Sequence, residues 1–226
     1  MSKPEYAIIV AGGKGTRIKS ALPKQFLPLF GKPILMHTLE AFYAYSPSIR
    51  IILVLPEDDF ETWEKLCSEY KFQRPYVLQK GGDSRFQSVR NGLDLLSGDG
   101  LVAIHDGVRP LVSKDIIGAS FRIAAVHHSA VAAVRLKESI RLTDKDTTRA
   151  VDRSMYRLIQ TPQTFDLATI KSAYNTREDS ELTDDASVAE RAGVKISLFE
   201  GSYENIKITT PEDLVVAEAL MRQREK

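Results

Sequence analysis

The chain has one cysteine and one tryptophan in 226 residues. A lone thiol excludes a disulfide framework. Its setting, DDFETWEKLCSEY, repeats Phe60, Trp63 and Cys67 at helical spacing, so Cys67 reads as a core thiol rather than a reactive one. An excess of one charge sign is also missing. Lysine and arginine number 31 against 30 acids, a net +1, so no global field draws the chain to nucleic acid or to an anionic membrane. Any positive site must be local. No apolar run approaches the length of a membrane span, and MSKPEYAIIVAGG has only a short one before polar residues. These absences predict a cytoplasmic protein with no nucleic-acid and no membrane partner.

What is present is a 43% hydrophobic composition, enough to bury a core within one domain, residues 1–226. Short runs rich in Val and Ile, at 6–11, 49–55, 75–79, 101–105, 130–134, 194–199 and 205–209, read as strands covered on both faces. Helical patterns lie between them at 33–46, 57–70, 83–97, 113–127, 166–176, 184–192 and 211–224. Asp83 stands as N-cap before the stripe Phe86, Val89, Leu93 and Leu96, and Thr210-Pro211-Glu212-Asp213 reads as cap, first-turn proline and first-turn acids. The alternation predicts an α/β architecture, a mostly parallel sheet with helices on both faces. Residues 135–165 break it. There Ile140, Leu142 and Val151 alternate with polar residues around the turn TDKDTT, as in a two-stranded ribbon with little core of its own. The ribbon either protrudes as an arm, at about 135–160, onto a second copy of the chain in a symmetric dimer, or folds back over its own sheet.

The stretch AIIVAGGKGTRIKSALPKQF, residues 7–26, passes from buried strand to a glycine turn and then to cations. Open α/β sheets bind ligands beyond the carboxyl ends of their strands, and Gly12, Gly13 and Gly15 would let backbone N–H groups approach phosphate oxygens there. A Walker A loop needs other spacing, and the dinucleotide fingerprint needs a glycine at position 18, which is Ile18. A plain tight turn explains the glycines but not Arg17 and Lys24, which suit a polyphosphate as counter-charges. HDGVRP, 105–110, lies past another strand end and offers Asp106 for a hard metal ion and Arg109 for a phosphate or diol, with His105 structural; a turn residue and its surface partner are the plainer reading of Asp106 and Arg109.

AGGKGTR followed by PKQF, with GGDSRFQSV, HDGVRP, AVDR and TPQTF, TDDAS and NIKIT in order along nearly the whole chain, resembles the 2-C-methyl-D-erythritol 4-phosphate cytidylyltransferases of non-mevalonate isoprenoid biosynthesis. The resemblance implies a Rossmann-like nucleotidyltransferase fold with a dimerising β-arm, CTP and methylerythritol phosphate as substrates, and Mg²⁺ as cofactor. It assigns Arg17, Lys24 and Lys207 to charge stabilisation at the α-phosphate and the leaving pyrophosphate. On one sequence, Lys207 reads more simply as a strand-end lysine reaching solvent. Ala11, Gly12, Gly13, Gly15, Gly82, Asp83, Ser88, Asp106 and Gly107 are implied for the nucleotide, with Asp106 also on the metal side. Family members more often carry Ala-Ala where this chain has Gly107-Val108. Arg109, Ser139, Thr183 and, from the partner's arm, Arg153 are implied for the second substrate. Asp184 and Asp185 read as helix-capping acids.

Two rivals differ in substrate or in class. Ribitol 5-phosphate cytidylyltransferases share AGGKGTR, PKQFLPL and NIKITTP, whereas AVDR and TDDAS follow the methylerythritol pattern. A non-catalytic nucleotide-binding protein on the same fold would be expected to lose Arg17, Lys24 or Lys207, and all three are present.

Overall fold

The structure, a computed structural model, describes residues 3–13 and 22–224. In chain order the elements are β1 (Glu5–Val10), the short pair β2 (Pro28–Leu29) and β3 (Lys32–Pro33), α1 (Ile34–Tyr45), β4 (Arg50–Leu55), α2 (Phe60–Glu69), β5 (Val77–Lys80), α3 (Arg85–Asp94) and β6 (Leu101–Asp106). There follow α4 (Lys114–His127), β7 (Ser129–Arg135), the hairpin β8 (Arg141–Asp144) and β9 (Thr147–Ala150), β10 (Arg157–Asp166), α5 (Leu167–Ala173), α6 (Asp185–Arg191), β11 (Leu198–Glu200) and α7 (Pro211–Arg224).

Seven strands form one sheet in the order β11-β7-β10-β6-β1-β4-β5. Every pairing is parallel except those of β10, which runs antiparallel to both neighbours. The period of two along β1 splits its side chains between two cores. Ala7 and Ile9 pack with Leu35, Leu39, Trp63, Ile117 and Phe121 from α1, α2 and α4. Tyr6, Ile8 and Val10 face Phe86, Val89, Leu93, Leu167 and Val188 from α3, α5 and α6. The expected α/β sheet, covered on both faces, is therefore present. A third cluster seats α7, through Ala217, against Leu29, Val108, Leu111 and Ile208.

The chain leaves β1 through β4 and β5 on one side and returns to β6 on the other, so the sheet has its switch point between β1 and β6, where open α/β sheets bind ligands. Glycine closes that point tightly. A Cβ on Gly107 would lie 2.7 Å from Ala11 Cβ and 3.3 Å from the carbonyl oxygen of Val10, so only glycine lets the two strand ends meet. The Gly107 N–H donates to Val10 at 2.8 Å. The freedom that glycine would give elsewhere is taken up here by packing.

Three expectations are corrected. The ribbon is shorter than 135–165, because β8 and β9 pair only with each other, while 157–166 is an interior strand between β6 and β7. The polar residues that suggested exposure are buried and bonded: Thr161 Oγ1 accepts from the Asp106 N–H at 3.1 Å, and Thr164 Oγ1 donates to Ser120 Oγ at 2.8 Å. Pro162 cannot donate to a ladder, and the register shifts between Ile159 and Gln163. The run 205–209 forms no strand; Ile208 makes one backbone bond, to Val108 at 2.9 Å, and the segment is otherwise irregular. Asp83 is not the cap of α3. Ser84 is, its hydroxyl accepting from the Gln87 N–H at 3.1 Å.

Candidate active site

A cleft opens at the switch point. It is lined by Val10 at the end of β1 with Ala11, Gly12 and Gly13 after it, Lys24 and Gln25, Gly82 to Arg85 with Ser88, Asp106 at the end of β6 with Val108 beyond it, and Lys207. A short helical turn over Lys24–Phe26 presents Lys24, and its alkyl stem runs beside the glycines: a Cβ on Gly13 would lie 3.5 Å from Lys24 Cε and 3.7 Å from Nζ. Gly15 and Arg17 lie outside the described residues.

The opposite wall is the turn before α3. Its backbone is fixed internally, by the Gly81 N–H donating to Leu55 at 2.8 Å, the Gly82 N–H to Ser88 Oγ at 3.1 Å, and the Asp83 N–H to Gln87 Oε1 at 3.1 Å. A Cβ on Gly82 would sit 2.4 Å from Gln87 Cβ, so glycine is required there as well. With the cap assigned to Ser84, the exposed Asp83 carboxylate is left without the helix-capping duty first expected of it.

The floor is a charge cluster around Asp106. Lys207 Nζ lies 3.0 Å and Arg109 Nε 3.3 Å from Asp106 Oδ2, and Arg85 Nε lies 3.5 Å from Oδ1. Burial alone would raise this carboxyl; Arg85, Lys207 and Arg109 outweigh it and hold Asp106 well below the usual carboxylate range. Arg85, Arg109 and Lys207 face two carboxylates, Asp106 and the Asp185 that also holds Arg85, so the cluster keeps one positive charge in excess, which suits a polyphosphate. Lys207 is thus ion-paired at the cleft rather than reaching solvent alone. His105, fully buried behind Asp106 and edge-on to Phe42, is lowered by burial to about 3 and stays neutral, in keeping with a structural residue.

Arg109 is not brought to the cleft wall. It is buried, with NH1 donating to the Asn205 carbonyl at 2.7 Å, so it ties the 205–208 segment to the end of β6. Gly107 likewise lies beneath the wall. Ser139 and Thr183 are exposed and line no part of the cleft. Arg153, in a short helical turn at Arg153–Met155 beyond the hairpin, donates to the Lys137 carbonyl. Lys137 in turn sits 3.8 Å above the Tyr203 ring, near the Lys207 segment. The single chain does not bring Arg153 into the cleft.

Two residues were missed. Arg85 lines the cleft and makes a two-point contact with Asp185, NH1 to Oδ1 at 2.9 Å and NH2 to Oδ2 at 2.7 Å. Burial opposes the charged guanidinium, but Asp185 and then Asp106 override it and hold Arg85 above its ordinary value. Asp184 caps α6 in a reciprocal box with Ser187, as expected, whereas Asp185 is wholly buried on Arg85. A cation in the motif after β5 and an acid in the motif that opens α6 were the available signal.

No group of three or more His, Cys, Asp or Glu side chains able to hold a metal occurs among the described residues. Asp106 is a single carboxylate already shared by three cations, so the donor set fits a divalent ion only if the ion brings phosphate oxygens and waters as its other ligands.

Comparison with known proteins covers almost the whole chain. The family model IspD, 2-C-methyl-D-erythritol 4-phosphate cytidylyltransferase, matches residues 6–223. A protein of that name from Bacteroides fragilis is 49% identical over 215 residues, 95% of this chain and 98% of the relative, and one from Halalkalibacterium halodurans is 39% identical over 226 residues, 98% of this chain and 99% of the relative. Among solved structures, the 4-diphosphocytidyl-2C-methyl-D-erythritol synthase of Anaerococcus prevotii superposes with a TM-score of 0.83 at 28% identity, covering 97% of this chain and 96% of that one. The Thermus thermophilus cytidylyltransferase gives 0.76 at 29%, covering 98% and 100%.

Proposed function

The chain belongs to the 2-C-methyl-D-erythritol 4-phosphate cytidylyltransferase family, and from that premise we infer a CTP-dependent enzyme that converts 2-C-methyl-D-erythritol 4-phosphate to 4-diphosphocytidyl-2-C-methyl-D-erythritol in isoprenoid precursor biosynthesis. A phosphate oxygen of the second substrate attacks the α-phosphorus of CTP, and the bond from that phosphorus to pyrophosphate breaks. Negative charge gathers on the transferring phosphorus and the leaving group, so the enzyme acts by positioning and by cations. The observation that carries this reading is the meeting of Lys24 and Lys207 in one cleft between a glycine turn and the Gly82–Ser88 wall.

In this reading Lys24, Lys207 and Arg17 stabilise the α-phosphate and pyrophosphate. Ala11, Gly12, Gly13 and Gly15 serve the nucleotide from the β1 side, and Gly107, at the end of β6, supports the ribose from beneath the wall. Gly82, Asp83 and Ser88 face the cytosine, whose amino donor and carbonyl acceptor a carboxylate and backbone groups can tell from uracil. Asp106 is the carboxylate that would hold Mg²⁺, and the ion would supply neutralisation of phosphate charge. Arg109 supports the second-substrate side, and Thr183, with Ser139 and Arg153 from a partner's arm, reads the methylerythritol phosphate. The chain is one domain that dimerises through the arm in the cytoplasm. Exposed Leu142, Met155, Tyr156 and Leu158 on and beyond the hairpin support that assembly, and no helix among the described residues is long and apolar enough to cross a membrane.

The test is pyrophosphate release from CTP and Mg²⁺, run in parallel with 2-C-methyl-D-erythritol 4-phosphate and D-ribitol 5-phosphate. Release confined to the first is expected. Release confined to the second would keep the cytidylyl chemistry and overturn the reading of the arm and the Thr183 loop.

A further inference from the structure

We propose that Asp185 is a positioning residue for the transfer centre, acting through Arg85 on the Asp106–Lys207 pair. The proposal rests on the cytidylyltransferase reading of the cleft. Its starting point is a buried charge that helix capping does not explain, since Asp184 already caps α6. Asp185 is fully buried, its two oxygens take NH1 and NH2 of Arg85, and Oδ1 also accepts from the Tyr174 hydroxyl at 2.6 Å. A guanidinium is a rigid planar fork. With two nitrogens fixed on Asp185, the third, Nε, is left facing Asp106 Oδ1 at 3.5 Å. The other oxygen of Asp106 meets Lys207 at 3.0 Å.

Lys207 needs such a hold. It stands on an irregular segment with no strand ladder, half-exposed, and the Asp106 carboxylate is the anion that anchors its ammonium at the cleft. The chain of contacts therefore runs from Tyr174 and Asp185, inside the protein, through Arg85 to the groups that meet phosphate. It also ties the cleft to the segment carrying Thr183, two residues before Asp185. The nucleotide-facing turn is held separately, because its bonds to Leu55, Ser88 and Gln87 do not pass through the Arg85 side chain. Loosening Arg85 should therefore slow turnover more than it weakens CTP binding.

Steady-state kinetics of Asp185→Asn, Arg85→Met and the double variant test this. We expect Asp185→Asn to lower kcat about 10- to 50-fold with the KM for CTP within about threefold of wild type. The double variant should match Arg85→Met alone, because Asp185 acts only through Arg85. A kcat within about twofold of wild type for Asp185→Asn, or a double loss equal to the product of the single losses, would overturn the proposal. Should Asp185→Asn fail to fold, Tyr174→Phe removes only the hydroxyl behind Asp185 and is expected to lower kcat about two- to fivefold at unchanged KM for CTP; wild-type kcat there overturns it. Wild-type turnover speaks to the substrate reading and the variant-to-wild-type ratio to the Asp185 role, so the two fail separately.

Discussion

The cleft and the arm are built on opposite physical terms. At the cleft, Asp106, Arg109 and Asp185 are buried ionic groups, and each is held by partners from elements far apart in the chain: β6, α3, α6 and the segment before α7. In the arm, every residue of β8 and β9 is exposed, and the hairpin pairs only with itself. Buried charge is costly unless paired, so the cleft must keep one geometry to be stable at all. An exposed ribbon has no such constraint within one chain, and its order must come from what it packs against. A cleft held to one geometry and an arm left unconstrained within one chain follow from that division.

The largest effect that would sharpen the contrast is on the Asp106 cluster. Asp106→Asn leaves Arg85, Arg109 and Lys207 without their shared anion, and we expect a loss of about 3–5 kcal/mol of stability by denaturant unfolding. Wild-type stability would show that the cluster is not under this constraint. Next, Lys24→Ala, Lys207→Ala and Arg17→Ala should each lower kcat/KM about 10²- to 10³-fold while the circular dichroism spectrum and thermal midpoint stay near wild type. Near wild-type turnover in any of them removes that cation from charge stabilisation.

On the arm the expected signature changes from turnover to affinity. Arg153→Ala should raise the KM for methylerythritol phosphate about tenfold and leave that for CTP unchanged. At methylerythritol phosphate well below the KM of the Arg153→Ala chain, mixing it with Lys24→Ala chains should give more activity than the two give separately, because in a dimer joined through the arm one mixed site combines an intact Lys24 with an intact Arg153; activity no greater than the sum of the parts breaks the comparison. Behind the cleft, burial lowers His105 to about 3, below the value of the unfolded chain. The unfolded state therefore takes up a proton first on acidification: this contribution is fully present above about pH 6.5 and falls by about 1.4 kcal/mol per unit below it. His105→Gln should flatten that part of the stability profile, and a wild-type His105 imidazole titrating between pH 5 and 8 would contradict the burial argument. The smallest effect is on the hairpin, where Thr148→Ala removes the partner of Arg141 Nε at 2.9 Å and should change stability by less than about 0.5 kcal/mol.

Most of the fold was legible because the signals for it are local. Continuous apolar runs marked the six strands other than β10 in the main sheet, and the caps and stripes marked the helices. The cleft was legible as a set of motifs at strand ends, since Ala11 to Gly13, Gly82, Asp83 and Asp106 follow strands whose ends the sheet gathers together. What failed depended on partners distant in sequence. β10 looked like half of an exposed ribbon because Gln160, Thr161, Gln163 and Thr164 are polar, and only the folded chain supplies the Asn205, Asp106, Asp184 and Ser120 groups that satisfy them. The run 205–209 has strand composition but finds no ladder. Between Asp83 and Ser84, either of which can cap a helix, the local backbone made the choice.

The sequence by itself determined the α/β class, the glycine turn with its cations, and the family, because apolar periodicity, turn chemistry and ordered motifs are written along one dimension. Only the tertiary structure decided that Arg109 is buried beneath the cleft and that Arg85 reaches it on the grip of Asp185. The reason is physical: what a charged side chain does depends on which opposite charge shares its burial, and Arg85 and Asp185 meet across 100 residues of chain.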